Sequence, residues 1–248
     1  MKVSIITITY NSEKSIADAI DSVVSQTYPN IEYIVVDGKS KDNTVEIVKS
    51  YGNKINKIVS EPDKGIYDAL NKGIGMATGD IIGFMHSDDL FANSDIIQNV
   101  VNKFKANDTD SLYGDLQYVY KEDTNKVLRY WKSGDFSLRQ LKLGWMPPHP
   151  TLYIKRWVYE KYGGFNIDMG ISADYDSMLR FLGKYKISTQ YLPEVMVKMR
   201  VGGASNRSLK NIIQKSSEDW DAIQRNEFGN IFTLFFKNLR KVSQFLKK

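Results

Sequence analysis

A chain of 248 residues with 42% hydrophobic and 25% charged residues has the make-up of a folded globular domain, and its length can bury a core without covalent staples. It contains no cysteine, which excludes disulfides, thiolate catalysis and zinc–thiolate sites. The net charge of +5 is local: residues 229–248 hold Lys237, Arg240, Lys241, Lys247 and Lys248 and no acid, leaving 29 basic against 29 acidic residues in the body. So balanced a body lacks the basic face that a nucleic-acid-binding domain needs.

The first half alternates strands and helices. Val3–Thr9 is a β-rich run ending at Tyr10-Asn11-Ser12, entered without a cleavable leader pattern. Ile16, Ile20, Val23 and Val24 follow at helical spacing, with Asn11 or Ser12 as the N-cap. Tyr28-Pro29-Asn30 breaks that helix, and Ile31–Val36 reads as a fully buried strand stopped by Asp37-Gly38. A helix over 43–51 and a short strand over 57–60 lead to the loop Glu61-Pro62-Asp63-Lys64-Gly65. A helix over 66–77 and a buried strand over 80–85 then run into His86-Ser87-Asp88-Asp89. Successive β–loop–α units imply a parallel sheet with helices on both faces. Ligands of such sheets bind beyond the carboxyl ends of the strands, where Tyr10-Asn11, Asp37-Gly38, Glu61–Lys64 and Ser87–Asp89 all fall.

The second half is less regular. The pattern predicts a helix over 96–104, a strand pair over 111–120 and 127–131, and a rigid loop Pro147-Pro148-His149-Pro150 before a strand over 151–154. A helix over 174–182, a strand over 194–200, the turn Gly202-Gly203-Ala204-Ser205 and a helix over 206–227 complete the body. No apolar stretch is long enough to cross a bilayer, so a cytoplasmic location is expected.

Several segments together carry a resemblance. They are Ile5–Asn11, Gln26–Gly38, Ser60-Glu61-Pro62-Asp63-Lys64-Gly65-Ile66-Tyr67-Asp68-Ala69, Ala77–Asp80, Ser87-Asp88-Asp89, Ala173-Asp174 and Gly202–Ser205. In this order, over about residues 2 to 205, the chain resembles the family 2 inverting glycosyltransferases, and its Glu61–Asp68 segment resembles the subgroup that builds bacterial exopolysaccharides, of colanic-acid type. The resemblance implies a GT-A fold, a three-layer α/β/α sandwich with a mostly parallel central sheet plus C-terminal helices. The expected division is a nucleotide-sugar half at 1–110, an acceptor half at 111–228 and a basic amphipathic helix at 229–248. The implied activity is transfer of a sugar from a UDP-sugar donor to a glycan or lipid-linked acceptor, in cell-surface polysaccharide biosynthesis.

A departing nucleoside diphosphate needs its charge neutralised, and hard carboxylate oxygens suit Mn²⁺ or Mg²⁺. By resemblance Asp89 is the metal ligand and Asp88 faces the ribose or a metal-bound water; the competing reading is that Ser87-Asp88-Asp89 caps a helix beginning near Asn93. The same resemblance gives Asp37 the uracil N3–H, against an Asx turn at Asp37-Gly38. Tyr10 is expected to stack on the base, against a ligand-free buried aromatic, and Thr7 to meet the base through its backbone. Lys64 is expected at base or phosphate. Asp68 lies near a positive helix end, where simple capping explains it almost as well, and Asn71 and Lys72 rank below these. Asp174 is the expected general base, accepting a proton from the acceptor hydroxyl; Asp176 is its rival. The family pairs this aspartate with a preceding Glu, and Ala173 stands there instead, which puts acceptor preference in doubt. His86 reads as a loop histidine bonded to backbone, and His149 as either an acceptor or phosphate contact or a structural bridge. Gly202–Ser205 is expected to close over the diphosphate as part of a lid. The family's later metal-completing histidine is missing, because no histidine follows His149.

A sugar-nucleotide-forming nucleotidyltransferase would also use a strand-end acid pair, but the first strand lacks its glycine-rich basic loop. An inactive binding module is the third reading, and a dinucleotide oxidoreductase fails for want of a Gly-x-Gly-x-x-Gly turn. On a helical wheel of 231–248, Phe232, Phe235, Phe236, Leu239, Val242 and Leu246 share one side, with Lys237, Arg240, Lys241, Lys247 and Lys248 on a flank and the far side. Such a helix fits a membrane surface; packing on the domain or on a dimer mate is the equal alternative.

Overall fold

The computed structural model describes residues 1–201 and 209–246. The first part of the chain is built from β1 (Val3–Thr9), β2 (Ile31–Asp37), β3 (Lys57–Ser60) and β4 (Ile81–Phe84), joined by α1 (Ile16–Val24), α2 (Thr44–Ser50) and α3 (Ile66–Met76). β1 pairs in parallel with β2 and β4, and β2 with β3. The second half adds β5 (Leu90–Phe91), α4 (Ile96–Ala106), β6 (Ser111–Val119), β7 (Val127–Trp131), α5 (Leu138–Lys142), β8 (Tyr153–Lys155) and α6 (Arg156–Tyr162). It ends with α7 (Ala173–Met178), β9 (Thr189–Arg200), α8 (Leu209–Arg225) and α9 (Ile231–Leu246). One nine-stranded sheet runs through both halves in the order β3-β2-β1-β4-β8-β6-β9-β5, with β7 on β6. The first part is parallel and the second is joined to it antiparallel through β8, giving a mixed GT-A sheet.

Side chains alternate across a strand, and both faces of this sheet are covered. Val3, Ile5, Tyr33 and Val35 point into a core with Ile16, Ile20, Ile96 and Val100 of α1 and α4. Ile6, Ile8, Ile34 and Val36 point the other way, onto Tyr67 and Leu70 of α3 and Tyr175 and Met178 of α7. This double burial is why β1 and β2 read as unbroken apolar runs.

The structure departs from the sequence reading at several ends. The first helix is capped at Ser15 rather than Asn11 or Ser12. The helix foreseen over 174–182 is α-helical only to Met178 and continues as a π-helical turn, Leu179–Lys184. Gly202–Ser205 lies outside the described residues, as does most of the expected lid. No helix among the described residues is long and apolar enough to cross a membrane.

The C-terminal helix corrects the wheel. Lys237, assigned to the solvent-facing basic side, is only 4% exposed and pairs with the fully buried Asp219 of α8. Its ammonium sits 3.5 Å from the centre of the Tyr175 ring, a cation–π contact in a desolvated place. Burial pushes the Lys237 pKa down to about 8 against the pull of Asp219. Nor do the phenylalanines pack on the domain: Phe232 is 65% and Phe235 59% exposed. α9 is held by its buried lysine and turns its aromatic side outward.

Candidate active site

The loops at the carboxyl ends of β1 to β4 are tied to one another. The Ser40 hydroxyl donates to the Asp37 carboxylate and accepts the Asn11 N–H at 2.8 Å. The Lys41 N–H returns to Asn11 Oδ1 at 2.9 Å. Ser12 and Ser87 hydroxyls meet at 3.0 Å, joining the β1 loop to the acid turn. Asn11 and Lys39 hold positive φ values of 49° and 63°, uncommon for residues with a Cβ. The backbone at this edge is shaped by tertiary bonds. The convergence expected from strand ends is therefore observed as a hydrogen-bonded rim.

Asp37 is buried and accepts from Ser40 N at 3.0 Å, the Ser40 hydroxyl and Ser60 Oγ at 2.6 Å. The turn-forming role that competed with base reading is thus present, although two carboxylate oxygens can accept about four bonds and one direction stays open. Tyr10 is 57% exposed, which removes its buried-aromatic reading and leaves a ring face free at the rim. A Cβ on Gly38 would fall 2.4 Å from Asp63 Oδ2 and 3.4 Å from Tyr10, so glycine lets the Asp63 carboxylate close in on this position. Thr7 is fully buried inside β1 and its hydroxyl is engaged with Tyr33 at 3.0 Å.

Asp68 accepts the Lys64 N–H at 3.0 Å, three residues inside a helix whose N-cap is Gly65. The bond reaches one residue past the N-cap, whose own N–H goes to Asp63 Oδ1 at 2.9 Å. Lys64 itself is exposed. Lys72 bonds the Pro62 carbonyl at 2.8 Å and pairs with Glu61 at 2.9 Å, and Asn71 pins Phe165 through both ends of its amide. Those last two positions build the scaffold.

The acid pair is not a helix cap, because β5 intervenes and α4 starts after its own N-cap, Asp95. Asp88 and Asp89 lie in a turn closed by Asp89 N–H on the His86 carbonyl at 3.1 Å. Arg200, at the end of β9, donates its N–H to Asp89 Oδ1 and a guanidinium N–H to the Asp88 carbonyl, both at 3.1 Å, and pairs with Asp18. Asp89 is 1% exposed, and its Oδ2 is buried with no partner. Burial first, then the neighbouring Asp88, raises its pKa well above the ordinary value against the pull of Arg200. A buried carboxylate oxygen without a donor is costly, and a hard cation is the kind of partner it fits. Among the described residues no group of three or more His, Cys, Asp and Glu side chains is arranged to hold a metal. The described residues therefore offer Asp89, with Asp88 beside it, as the oxygen ligands at this turn.

His86 corrects its own reading, because its side chain bonds a partner 63 residues away. Its Nε2 lies 3.1 Å from Nε2 of His149, and His149 Nδ1 lies 3.5 Å from Asp174 Oδ2. Burial lowers the pKa of both imidazoles, that of His86 to about 3, so His86 is neutral at pH 7, while Asp174 opposes the shift at His149. One arrangement fits both contacts: the His149 Nδ1 side faces the Asp174 carboxylate and His149 Nε2 accepts from His86. The acid turn and Asp174 are thereby physically linked, and His149 is the bridge.

Asp174 sits in the first turn of α7, whose N-cap is Ser172. Tyr67 donates to the Ile171 carbonyl at 2.6 Å and lies 3.4 Å from Asp174 Oδ1. From α8, the Glu218 carboxylate collects the N–H groups of Gly170, Ile171 and Ser172 at 2.8 to 3.0 Å, fixing the loop that presents Asp174. Burial alone would raise the Asp174 pKa, but His149, Lys215, Lys237 and the Tyr175 N–H outweigh it and lower it. Asp176, the rival, points into the core against Arg180 at 3.1 Å and Asn226 at 2.9 Å. Asp176→Ala is expected to cost about 3 kcal/mol in urea unfolding by stranding the largely buried Arg180; an unfolding midpoint unchanged at equal m would show that this pair contributes nothing.

The geometry is that of a hydrogen-bonded loop rim beside a carboxylate, on a chain with recognisable relatives. A profile of glycosyl transferase family 2 matches residues 4–162. An uncharacterized glycosyltransferase of Mycobacterium tuberculosis is 32% identical over 183 residues, covering 72% of this chain and 68% of its own. A mycobacterial PGL/p-HBAD biosynthesis glycosyltransferase is 28% identical over 208 residues, covering 82% and 78%. Among solved structures, the Staphylococcus aureus TarS fragment 1–349 in complex with UDP-GlcNAc superposes with a TM-score of 0.72 at 19% identity, covering 91% of this chain and 65% of that one. The chain spans 40% of the longer TarS structure. The Pyrobaculum calidifontis mannosyltransferase PcManGT, in complex with GDP-Man and Mn²⁺, superposes with a TM-score of 0.61 at 19% identity. With a matching profile over more than half its length, and a relative of that identity over most of it, this chain belongs to glycosyl transferase family 2.

Proposed function

We propose that the chain is an inverting, divalent-cation-dependent hexosyltransferase that moves a sugar from a UDP-sugar to a glycan or lipid-linked acceptor in cell-surface polysaccharide biosynthesis. The observation that carries this reading is the link from the Asp88-Asp89 turn through His86 and His149 to an ionised Asp174. It sets a donor-side acid pair and an acceptor-side base into one constellation.

In this reading Tyr10 stacks on the uracil and the open acceptor direction of Asp37 takes its N3–H, close to the backbone of Thr7. Lys64 meets the donor from the exposed loop, with Asp68 holding that loop in place. Asp88 faces the ribose. Asp89, with donor oxygens completing the shell, would hold Mn²⁺ or Mg²⁺, whose chemistry is to neutralise the leaving diphosphate. Asp174 accepts the acceptor hydroxyl proton as the new bond forms, while His149 and Tyr67 keep its carboxylate aimed. A single carboxylate base on the acceptor side fits direct displacement, hence inversion. The UDP-GlcNAc held by TarS and the GDP-Man and Mn²⁺ held by PcManGT support the donor class and the cation.

Thermal melting tests the reading. UDP with Mn²⁺ is expected to raise the melting temperature, by mass action on the folded state, whereas UDP with a chelator gives a much smaller rise and ATP or NAD none. Equal shifts with every nucleotide would defeat the donor assignment.

A further inference from the structure

The outward side of α9 is the largest feature that the proposed reaction leaves unused. Ile231, Phe232, Phe235, Phe236 and Leu239 are 56, 65, 59, 36 and 51% exposed on one helix. Clustered large apolar side chains of this kind mark a surface that meets something. The helix is not a loose tail, since its opposite side is fixed by three contacts. Lys237 is bound to Asp219, Thr233 is 2% exposed, and the Lys237 backbone packs so closely on Gly144 that a Cβ there would come within 2.4 Å. The aromatic side therefore has one fixed orientation relative to the domain.

Charge decides what covers it. The stretch 229–248 carries five cations and no acid in its sequence; Lys237 is used inside, and Arg240, exposed, donates from Nε to the Leu143 carbonyl at 3.1 Å. A second copy docking through the same face about a two-fold axis would bring these cations against each other with no carboxylate in the segment to offset them. An anionic bilayer surface offers the opposite charge together with an apolar layer that a helix face of phenylalanines can enter to a depth of roughly 5–10 Å.

We infer that α9 is an interfacial docking helix that seats the enzyme on anionic phospholipid, with Phe232, Phe235, Phe236 and Leu239 in the acyl boundary and the basic segment against the headgroups. The docking helix is also mechanically continuous with the acceptor side. Asp219, which holds α9, adjoins Glu218, which holds the 170–172 loop in front of Asp174. A lipid-linked acceptor would thus reach the base from the seated side. The docking itself does not depend on the proposed reaction, since it requires neither donor nor acceptor.

The test is co-sedimentation of the full chain with vesicles of phosphatidylglycerol and phosphatidylcholine, and with vesicles of phosphatidylcholine alone. Deletion of the helix is unsuitable because it would strip Asp219 of its cation, so the variant is Phe232→Ser with Phe235→Ser, both exposed and neither among the residues assigned to the site. The wild-type chain is expected to bind the anionic vesicles at least tenfold more tightly than the neutral ones, and less so at high salt. The double variant is expected to lose roughly a hundredfold, on the scale of burying two phenylalanines. It should keep the wild-type melting temperature and UDP-induced shift, which separates failure of docking from failure of the transferase reading. Equal binding to both vesicles, or undiminished binding by the double variant, overturns the inference. So does a wild-type dimer in sedimentation velocity that the same substitutions convert to monomer, because a second copy would then own the face.

Discussion

Asp174→Asn is expected to reduce kcat by about 10³-fold while leaving the UDP-induced melting shift unchanged. The size follows from what general-base catalysis contributes, about 10²–10⁴-fold, and the selectivity follows from position. Asp174 touches His149 and Tyr67 and none of the residues assigned to the nucleotide. Asparagine is nearly isosteric, so the contacts with Tyr67 and His149 can persist while proton acceptance is lost. The pH profile gives a second readout. The Asp174 pKa is lowered in the fold, so the group contributes stability above the unfolded value of about 3.9 and loses it only as pH falls through the folded value. The base is therefore charged throughout the neutral and mildly acidic range. The acid limb of kcat/KM attributable to it is expected below about pH 4, not near 6, where an unperturbed imidazole would place it. A limb near pH 6 that vanishes in His149→Gln would move the base role to His149, and near-normal turnover by Asp174→Asn would remove Asp174 from the chemistry.

The nucleotide half was legible because each of its signals is local. Continuous apolar strands, helices of regular period and polar residues at each strand end all lie within a few positions of one another. β1, β2 and β4 accordingly fall where the sequence puts them. The second half was legible in part: α4, the β6–β7 pair and α8 fall close to where the pattern puts them, and the rest did not show for identifiable reasons. α5 has five residues and α6 seven, too short for a periodic signal. β5 has two residues and is a strand only because β9 passes beside it. The His86–His149–Asp174 chain joins three distant segments, and the single cue to it was a histidine held rigid among prolines. Arg200 and Glu218 gave no cue at all: each is an ordinary charged residue on a regular element whose role exists only through partners 111 and 46 residues away. Lys237 was misplaced for the converse reason. A helical wheel sends charge outward, and only the buried Asp219 across the interface pulls this one in.

The largest loss in substrate binding is expected at Asp89. Other buried carboxylates set this one apart: Asp219 also has a buried oxygen without a hydrogen-bond donor, but the Lys237 ammonium answers its charge. Glu32 accepts from Ser4 at 2.6 Å and from Thr78 at 2.7 and 2.8 Å, beside Lys2; Asp115 accepts from Ser133, Tyr130 and Tyr191. Both are satisfied, and both are scaffold. Asp89 alone among these three leaves a buried oxygen without a donor, a standing cost that a folded protein keeps where function needs it. Asp89→Asn is therefore expected to leave the melting temperature of the nucleotide-free protein the same or a few degrees higher, since it removes a buried charge. The same change should abolish the part of UDP binding that depends on Mn²⁺ and lower kcat/KM on the order of 10³-fold, the several kcal/mol that a cation contributes at a developing phosphate charge. A purely structural Asp89, needed only to receive the Arg200 N–H, gives the reverse pattern of lower melting temperature with manganese dependence intact. Calorimetry of UDP binding with and without Mn²⁺, alongside the two melting curves, separates these outcomes in one variant.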